Sequence, residues 1–368
     1  MTESSFAPDW VSSPGETIAD VLEERGWTQA ELAERLGFTR KHVNDLVQGR
    51  TTLTPDAAVR LATVLGSTAG FWLRREAQFR AALEAQRTRQ ERLEQTAWLD
   101  ELPLRDMTAF GWLEKVKDRA EQVNHCLRFF GVASVHAWRQ RYEAPVAAFR
   151  AAKGRSMEVG AVAAWLRQGE RAAEGLPCQP FDEAGFRAAL QDFRALTTET
   201  SPARFTDALV RRSAQHGVAV VFAPAPKGCP ASGATRWLSP DRALLMLSLR
   251  YRTNDHLWFT FFHEAGHILL HGKKTQFVEG MEALDEASER QADAFARDLL
   301  IPPASARKLK ALADRGAVSA AGVQAIANEI GVAAGIVVGR MQNEGWLPWT
   351  HLNKLKVSYT WAKPSAEK

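Results

Sequence analysis

The apolar run from Trp258 to Leu270 contains His263-Glu264-Ala265-Gly266-His267, and no other segment constrains the chain as strongly. Each helical residue turns the chain by about 100°, so histidines four positions apart stand one above the other on a single face. Both imidazoles can then reach one metal ion. The carboxylate after the first histidine, Glu264, is placed to take a proton from water that the metal activates. The pattern implies a zinc centre that hydrolyses peptide bonds.

Such a centre needs a third protein ligand and an open position for solvent. The segment Glu286 to Ala296 offers candidates on a second helix. Glu289 is the first choice, because Asp293 lies one turn further along the same face. An aspartate there can accept the N–H of a metal-bound histidine and fix its tautomer. Glu286 is the alternative ligand, without an aspartate one turn on. His271 follows His267 by four residues, but it is about two turns from His263, some 12 Å in rise. It is expected to cap the helix or line the pocket. A metzincin would carry a histidine where Lys273 stands, so that class is excluded. His256, Tyr251 and His271 are the candidates for stabilising an oxyanion.

Ahead of the metal helix, 217–222, 233–238 and 243–249 are apolar, β-rich runs that read as strands of a small sheet. The segment Ser232 to Leu238 is the candidate free edge, to which a substrate strand could add.

The other end of the chain reads differently. Between Thr28 and Gly49, Thr28 with Glu31 makes a capping box, and Leu32, Ala33 and Leu36 give a short apolar face. Gly37 permits a tight turn, Thr39 caps a second helix, and Val43, Leu46 and Val47 form its buried stripe. This is a helix-turn-helix, with the second helix presented to a major groove. Gln29, Thr39, Arg40, Lys41, His42, Asn44 and Arg50 are the candidate contacts to double-stranded DNA.

The segment Pro14 to Leu73 resembles the Cro/repressor (XRE) helix-turn-helix family, and within it HigA-type antitoxin repressors. The resemblance is carried by Pro14-Gly15-Glu16, Gln29, Ala33, Gly37, Thr39, Gly49, Thr54-Pro55 and Phe71-Trp72-Leu73. It implies a homodimer on a palindromic operator. Residues 203–345 resemble the ImmA/IrrE family of zinc metallo-endopeptidases. Phe259 to Gly272, Glu289 to Ala296 and Leu299-Leu300-Ile301-Pro302 carry that likeness. It implies a regulatory protease that cuts a repressor or antitoxin. Here a repressor-like module shares the chain, which leaves cleavage in cis, in trans or not at all.

Between these modules, 74–95 reads as a solvated connecting helix. From Leu102 to Leu196, short helices alternate with breakers such as Pro103, Pro145 and Pro180, and Trp112, Trp138 and Trp165 fall on core faces. The pair of segments 323–332 and 336–340 imitates a second helix-turn-helix, but carries little positive charge and reads as packing. Lys354, Lys356 and Lys363 form a solvated basic tail.

A length of 368 residues calls for two or three domains. Cys126, Cys178 and Cys229 lie far apart, which points to a reduced compartment and no cysteine metal site. The N-terminus carries no secretory signal, and no run reaches the roughly 20 apolar residues of a membrane helix. A cytoplasmic protein without membrane contact is expected. Net charge is +4, yet the first hundred residues hold slightly more acid than base, so DNA contact must rest on local clusters.

The expected fold is α+β and predominantly helical. Its parts are an all-α helix-turn-helix bundle (1–85), a helical spacer (86–202), a zincin-like domain with a small sheet and a metal-binding helix (203–345) and a tail (346–368). The expected function is an antitoxin-like, DNA-binding transcriptional regulator with a zinc endopeptidase domain acting on a protein substrate such as a repressor or antitoxin. The alternative is a non-enzymatic repressor whose peptidase-like domain binds metal, ligand or a partner toxin.

Overall fold

The computed structural model describes residues 12–143, 158–272, 277–278 and 286–361. The readings made at Pro145, Lys273, Lys363 and the N-terminal 1–11 lie outside the described residues. Two units emerge, one of Met1–Thr96 with Arg119–Glu121, the other of Ala97–Asp118 with Gln122–Lys368.

The first unit is built from five helices: α1 (Pro14–Arg25), α2 (Gln29–Leu36), α3 (Arg40–Val47), α4 (Pro55–Leu65) and α5 (Ala69–Glu94). Local chemistry sets each boundary. The Ser13 and Thr28 hydroxyls accept the N–H groups of Glu16 and Glu31, whose carboxylates accept the cap N–H in return. Gly37 ends α2 at φ +66°, a conformation that favours glycine. Ile18, Leu32, Leu36, Val43, Leu61 and Trp72 close the core between these helices. The 26-residue α5 begins at Ala69 rather than at residue 74, because Thr68 caps it.

In the second unit, α6 (Leu104–Ala109), α7 (Arg119–Phe130, from Gln122 onward), α8 (Val135–Trp138), α9 (Val159–Glu174), α10 (Glu183–Ala195) and α11 (Pro202–Ala214) precede the sheet. The strands β1 (Val218–Phe222), β2 (Gly233–Ser239), β3 (Arg242–Leu247) and β4 (Phe277–Val278) lie in the order β1-β3-β2-β4. β1 runs parallel to β3, and β2 is antiparallel to both β3 and β4. The sheet is covered on both faces, which is why β1 and most of β3 are apolar at successive positions rather than alternating. Val218, Val220, Ala243 and Leu245 pack into the main core, while Ala219, Val221, Leu244 and Met246 pack with Trp165 of α9.

Three expectations change here. Ser232 to Leu238 is not a free edge, because β4 pairs with Ala234 and Thr235. The stretch 86–202 is not one separate spacer. Its first residues complete α5, and α9 is held against the sheet because the strands present an apolar back face that needs cover. Nor is 346–361 a solvated tail. Leu347 and Tyr359 belong to the main core, Thr253 bridges Ser358, and Lys356 forms a buried ion pair with Asp255 at 2.6 Å.

The remaining helices are α12 (Asn254–Leu270), α13 (Glu286–Leu300), α14 (Pro303–Asp314), α15 (Ala320–Ile330) and α16 (Ala334–Asn343). α12 is buried on nearly every side, with Trp258, Phe261 and Phe262 fully enclosed. Each such side chain contributes about 1.5–3 kcal/mol of burial, so the helix is anchored rigidly. The segments that imitated a second helix-turn-helix are α15 and α16, whose apolar faces are spent on this core. Among the described residues no single helix is long and apolar enough to cross a membrane.

Candidate metal centre and nucleic-acid interface

α12 carries His263, Glu264 and His267 into the interior, where they are 3%, 0% and 1% exposed. α13 packs against the same face, and the contact is close because small residues meet there. A Cβ on Gly266 would stand 3.3 Å from the Cα of Ala292 and 3.1 Å from Cδ1 of Phe295. Ala292 and Ala296 are fully buried at this seam. That approach lets Glu289 reach the histidine pair.

The Nε2 atoms of His263 and His267 lie 2.9 Å apart. Glu289 places Oε2 at 3.5 Å from the first and Oε1 at 3.9 Å from the second. One ligand atom from each residue falls within 4.8 Å of the others. Bond lengths of 2.0–2.1 Å around a tetrahedral zinc put ligand atoms roughly 3.4 Å apart, and the observed separations bracket that value. Glu286 is directed away, exposed and paired with Arg290 at 3.1 Å.

Hydrogen bonds outside this triangle set which nitrogens face it. Nδ1 of His263 donates to Oδ1 of Asp293 at 2.9 Å. On the other side, Nε2 of His271 meets Oε1 of Gln291 at 3.1 Å, and Nδ1 of His271 meets Nδ1 of His267 at 3.0 Å. The amide oxygen can only accept, so His271 donates from Nε2 and accepts the Nδ1 proton of His267. Both Nε2 lone pairs therefore face each other, an arrangement that a cation between them stabilises. Burial, followed by the neighbouring His263, pushes the His267 pKa down to about 3. The ring is neutral near pH 7, as a metal ligand must be.

Glu264 points towards the sheet. A Cβ on Gly233 would stand 2.6 Å from its Oε1 and from Cγ2 of Thr260, so glycine at the start of β2 makes room for the carboxylate. Neither Gly233 nor Gln291 is singled out by the sequence, since each acts through an element distant in the chain. Tyr251 and His256 stack on each other at 4.4 Å between ring centres. His256 precedes His263 by seven residues, about 10 Å along the helix, so these two are not brought to the centre. His271 is, with both nitrogens engaged in the relay.

On the first unit, Arg40 and Lys41 stand exposed on the first turn of α3, and Gln29 opens α2 half-buried. The Thr39 hydroxyl accepts the His42 N–H at 3.2 Å, and the His42 ring packs edge-on against Phe38 at 4.7 Å. Both have local duties beside any contact with a ligand. Asn44 is half-buried, and Arg50 is exposed with a loose pairing to Asp45 at 3.9 Å.

Comparison with known proteins agrees with this division. Residues 18–72 match the helix-turn-helix family model, and residues 214–342 match the IrrE N-terminal-like domain of the M78 peptidase family. The antitoxin HigA-1 of Vibrio cholerae is 42% identical over 62 residues, 17% of this chain and 58% of that protein. The uncharacterized HTH-type transcriptional regulator YddM of Escherichia coli is 32% identical over 60 residues, 16% of this chain and 64% of its own length. Both matches thus span less than two thirds of the relative. A solved structure from Nostoc punctiforme, described as an antidote protein of a plasmid maintenance system, shares 31% identity over 23% of this chain and 91% of that one, with a TM-score of 0.22. The chain carries an XRE-type helix-turn-helix domain and an ImmA/IrrE-like domain, in an α+β fold.

Proposed function

We propose that this chain, which joins a helix-turn-helix domain to an ImmA/IrrE-like domain, is a DNA-binding regulator and a zinc-dependent endopeptidase that cuts a regulatory protein such as a repressor or antitoxin. The observation that carries the reading is the convergence of His263, His267 and Glu289 within 4.8 Å, with the carboxylate of Glu264 buried on the same helix. His263, His267 and Glu289 would hold the metal. Zinc bound there supplies Lewis acidity towards water and the scissile carbonyl.

The protein's own groups do the rest. Asp293 and the His271–Gln291 pair hold the two imidazoles in the tautomers that present Nε2. Glu264 takes a proton from the attacking water and returns it to the amine nitrogen as the peptide bond breaks. Its enclosure against Gly233 keeps the carboxylate fixed and excludes bulk solvent. On the other unit, α3 enters the major groove, with Arg40, Lys41, Asn44 and Arg50 as principal contacts and Gln29, Thr39 and His42 beside them. A homodimer on a palindromic operator suits such a domain.

The deciding experiment compares wild type with Glu264→Gln on the repressor encoded nearest to this chain, after zinc per chain has been measured in both. Cleavage by wild type and a loss of about 10²–10⁴-fold in the variant, at equal zinc, is the expected result. Equal cleavage, or none by either protein despite bound zinc, would favour a regulator that does not hydrolyse.

A further inference from the structure

A cavity of about 90 Å³ opens between the N-terminal half of α12, the C-terminal half of α13, and α16. Its walls are mainly apolar, with Phe259, Leu300 and Ile336 among them, and the exposed Trp349 at the edge. Two arginines, Arg297 and Arg340, and the imidazole of His256 also line it. Nε of Arg297 and both Nε and Nη1 of Arg340 are buried, with no hydrogen-bond partner among the described residues. Among the described residues Arg340 has one ion pair, to Glu344 at 3.0 Å. Asp255 also lines the cavity, but it is committed to Lys356 at 2.6 Å and leaves only its Oδ1 without a donor.

A guanidinium stays charged at any ordinary pH, so these donors cannot relieve their desolvation by losing a proton. Two guanidinium groups lining one cavity call for an anion, and a carboxylate matches their planar fork. A single water needs about 10–15 Å³ of such volume, so the cavity holds several heavy atoms. The apolar walls favour an anion on an aliphatic stem over inorganic phosphate or sulfate, which have none.

Position adds the last element. Phe259 lies one turn before His263, with ring centres 6.1 Å apart, and Arg297 follows Asp293 by one turn of α13. The cavity is therefore the next compartment along the seam that holds the metal centre. We infer that it is a carboxylate pocket, and that its occupant is an acidic side chain of the peptide bound beside the centre. The identity of the occupant rests on the peptidase reading, whereas the carboxylate chemistry does not.

Binding without turnover tests this. Zinc-loaded Glu264→Gln protein, full length, is titrated calorimetrically in a carboxylate-free buffer with two isosteric pairs. One pair is acetyl-Ala-Glu-Leu-amide and acetyl-Ala-Gln-Leu-amide; the other is isovalerate and isovaleramide. The glutamate peptide should bind at least about tenfold more tightly than the glutamine peptide, and Arg297→Gln in the same background should erase the difference. Discrimination within the small-molecule pair alone would keep the carboxylate pocket but make its occupant a free short-chain acid. Failure of both pairs to discriminate would overturn the pocket. If Arg297→Gln does not fold, the isosteric pairs still decide. Because no cleavage is read, a chain that never hydrolyses could pass this test, and an active peptidase could fail it.

Discussion

Nδ1 of His263 lies 2.9 Å from Oδ1 of Asp293, across the seam between α12 and α13. The bond fixes the imidazole so that Nε2 faces His267 and Glu289, and it raises the basicity of that nitrogen. Asp293→Asn should therefore weaken zinc binding by about 10- to 100-fold while the helical content is unchanged. Competition against a chromophoric chelator measures it. Unaltered affinity would show that packing alone orients the ring.

Room for Glu264 depends on the absence of a side chain at Gly233, where a Cβ would stand 2.6 Å from Oε1. Gly233→Ala forces either the strand or the carboxylate to move. A loss of about 1–3 kcal/mol in unfolding free energy is expected from overpacking, with hydrolysis falling further than stability alone explains. Denaturant melts alongside peptide assays separate the two effects. An alanine variant with normal activity would mean that the carboxylate has other space to occupy.

The depressed pKa of His267, about 3 against an ordinary 6.5, has a defined sign in stability. Between those values the unfolded chain binds a proton that the native ring refuses, so unfolding becomes easier as pH falls. The contribution is fully present above pH 6.5 and is lost progressively towards pH 3. For the metal-free protein the loss should be on the order of a few kcal/mol across that window, and smaller in His267→Gln. Urea midpoints collected from pH 7 to 4 provide the readout. Equal slopes in the two proteins would remove His267 as the cause.

Arg40 and Lys41 are the cations that the first turn of α3 exposes, whereas Arg50 leans towards Asp45. On the promoter of its own gene, Arg40→Ala and Lys41→Ala should each weaken binding and lower the salt slope by roughly one if the lost contact is to phosphate. A base contact would instead relax sequence preference at a cost of about 1–3 kcal/mol. Arg50→Ala is expected to matter less. Gel-shift titrations at several salt concentrations distinguish these patterns, and two indifferent variants would move the interface off this helix.

The turn from α2 into α3 was readable because its determinants are local. Thr28, Glu31, Gly37 and Thr39 act within three or four residues of themselves, and the capping bonds appear where the spacing puts them. The strand segments were readable from composition, but their order was not. A two-residue pairing by β4 covers Ala234 and Thr235, and no pattern within β2 announces which neighbour it will have. Lys356 shows the same gap: its sequence context is that of a solvated tail, yet Asp255 holds it in the interior 101 positions upstream in the chain.

By itself the sequence determined that His263 and His267 share one face of one apolar helix, with Glu264 about 100° round from the first, since the helical period alone fixes that relation. Only tertiary structure decided between Glu289 and Glu286 as the approaching carboxylate, brought Gln291 to His271, and set two arginines around an apolar cavity. Those relations depend on how closely α13 can approach α12 at Gly266 and Ala292, and on where the 346–361 segment returns. Interhelical distance and chain return are properties of the packed whole, and they leave no periodic trace in the residues they bring together.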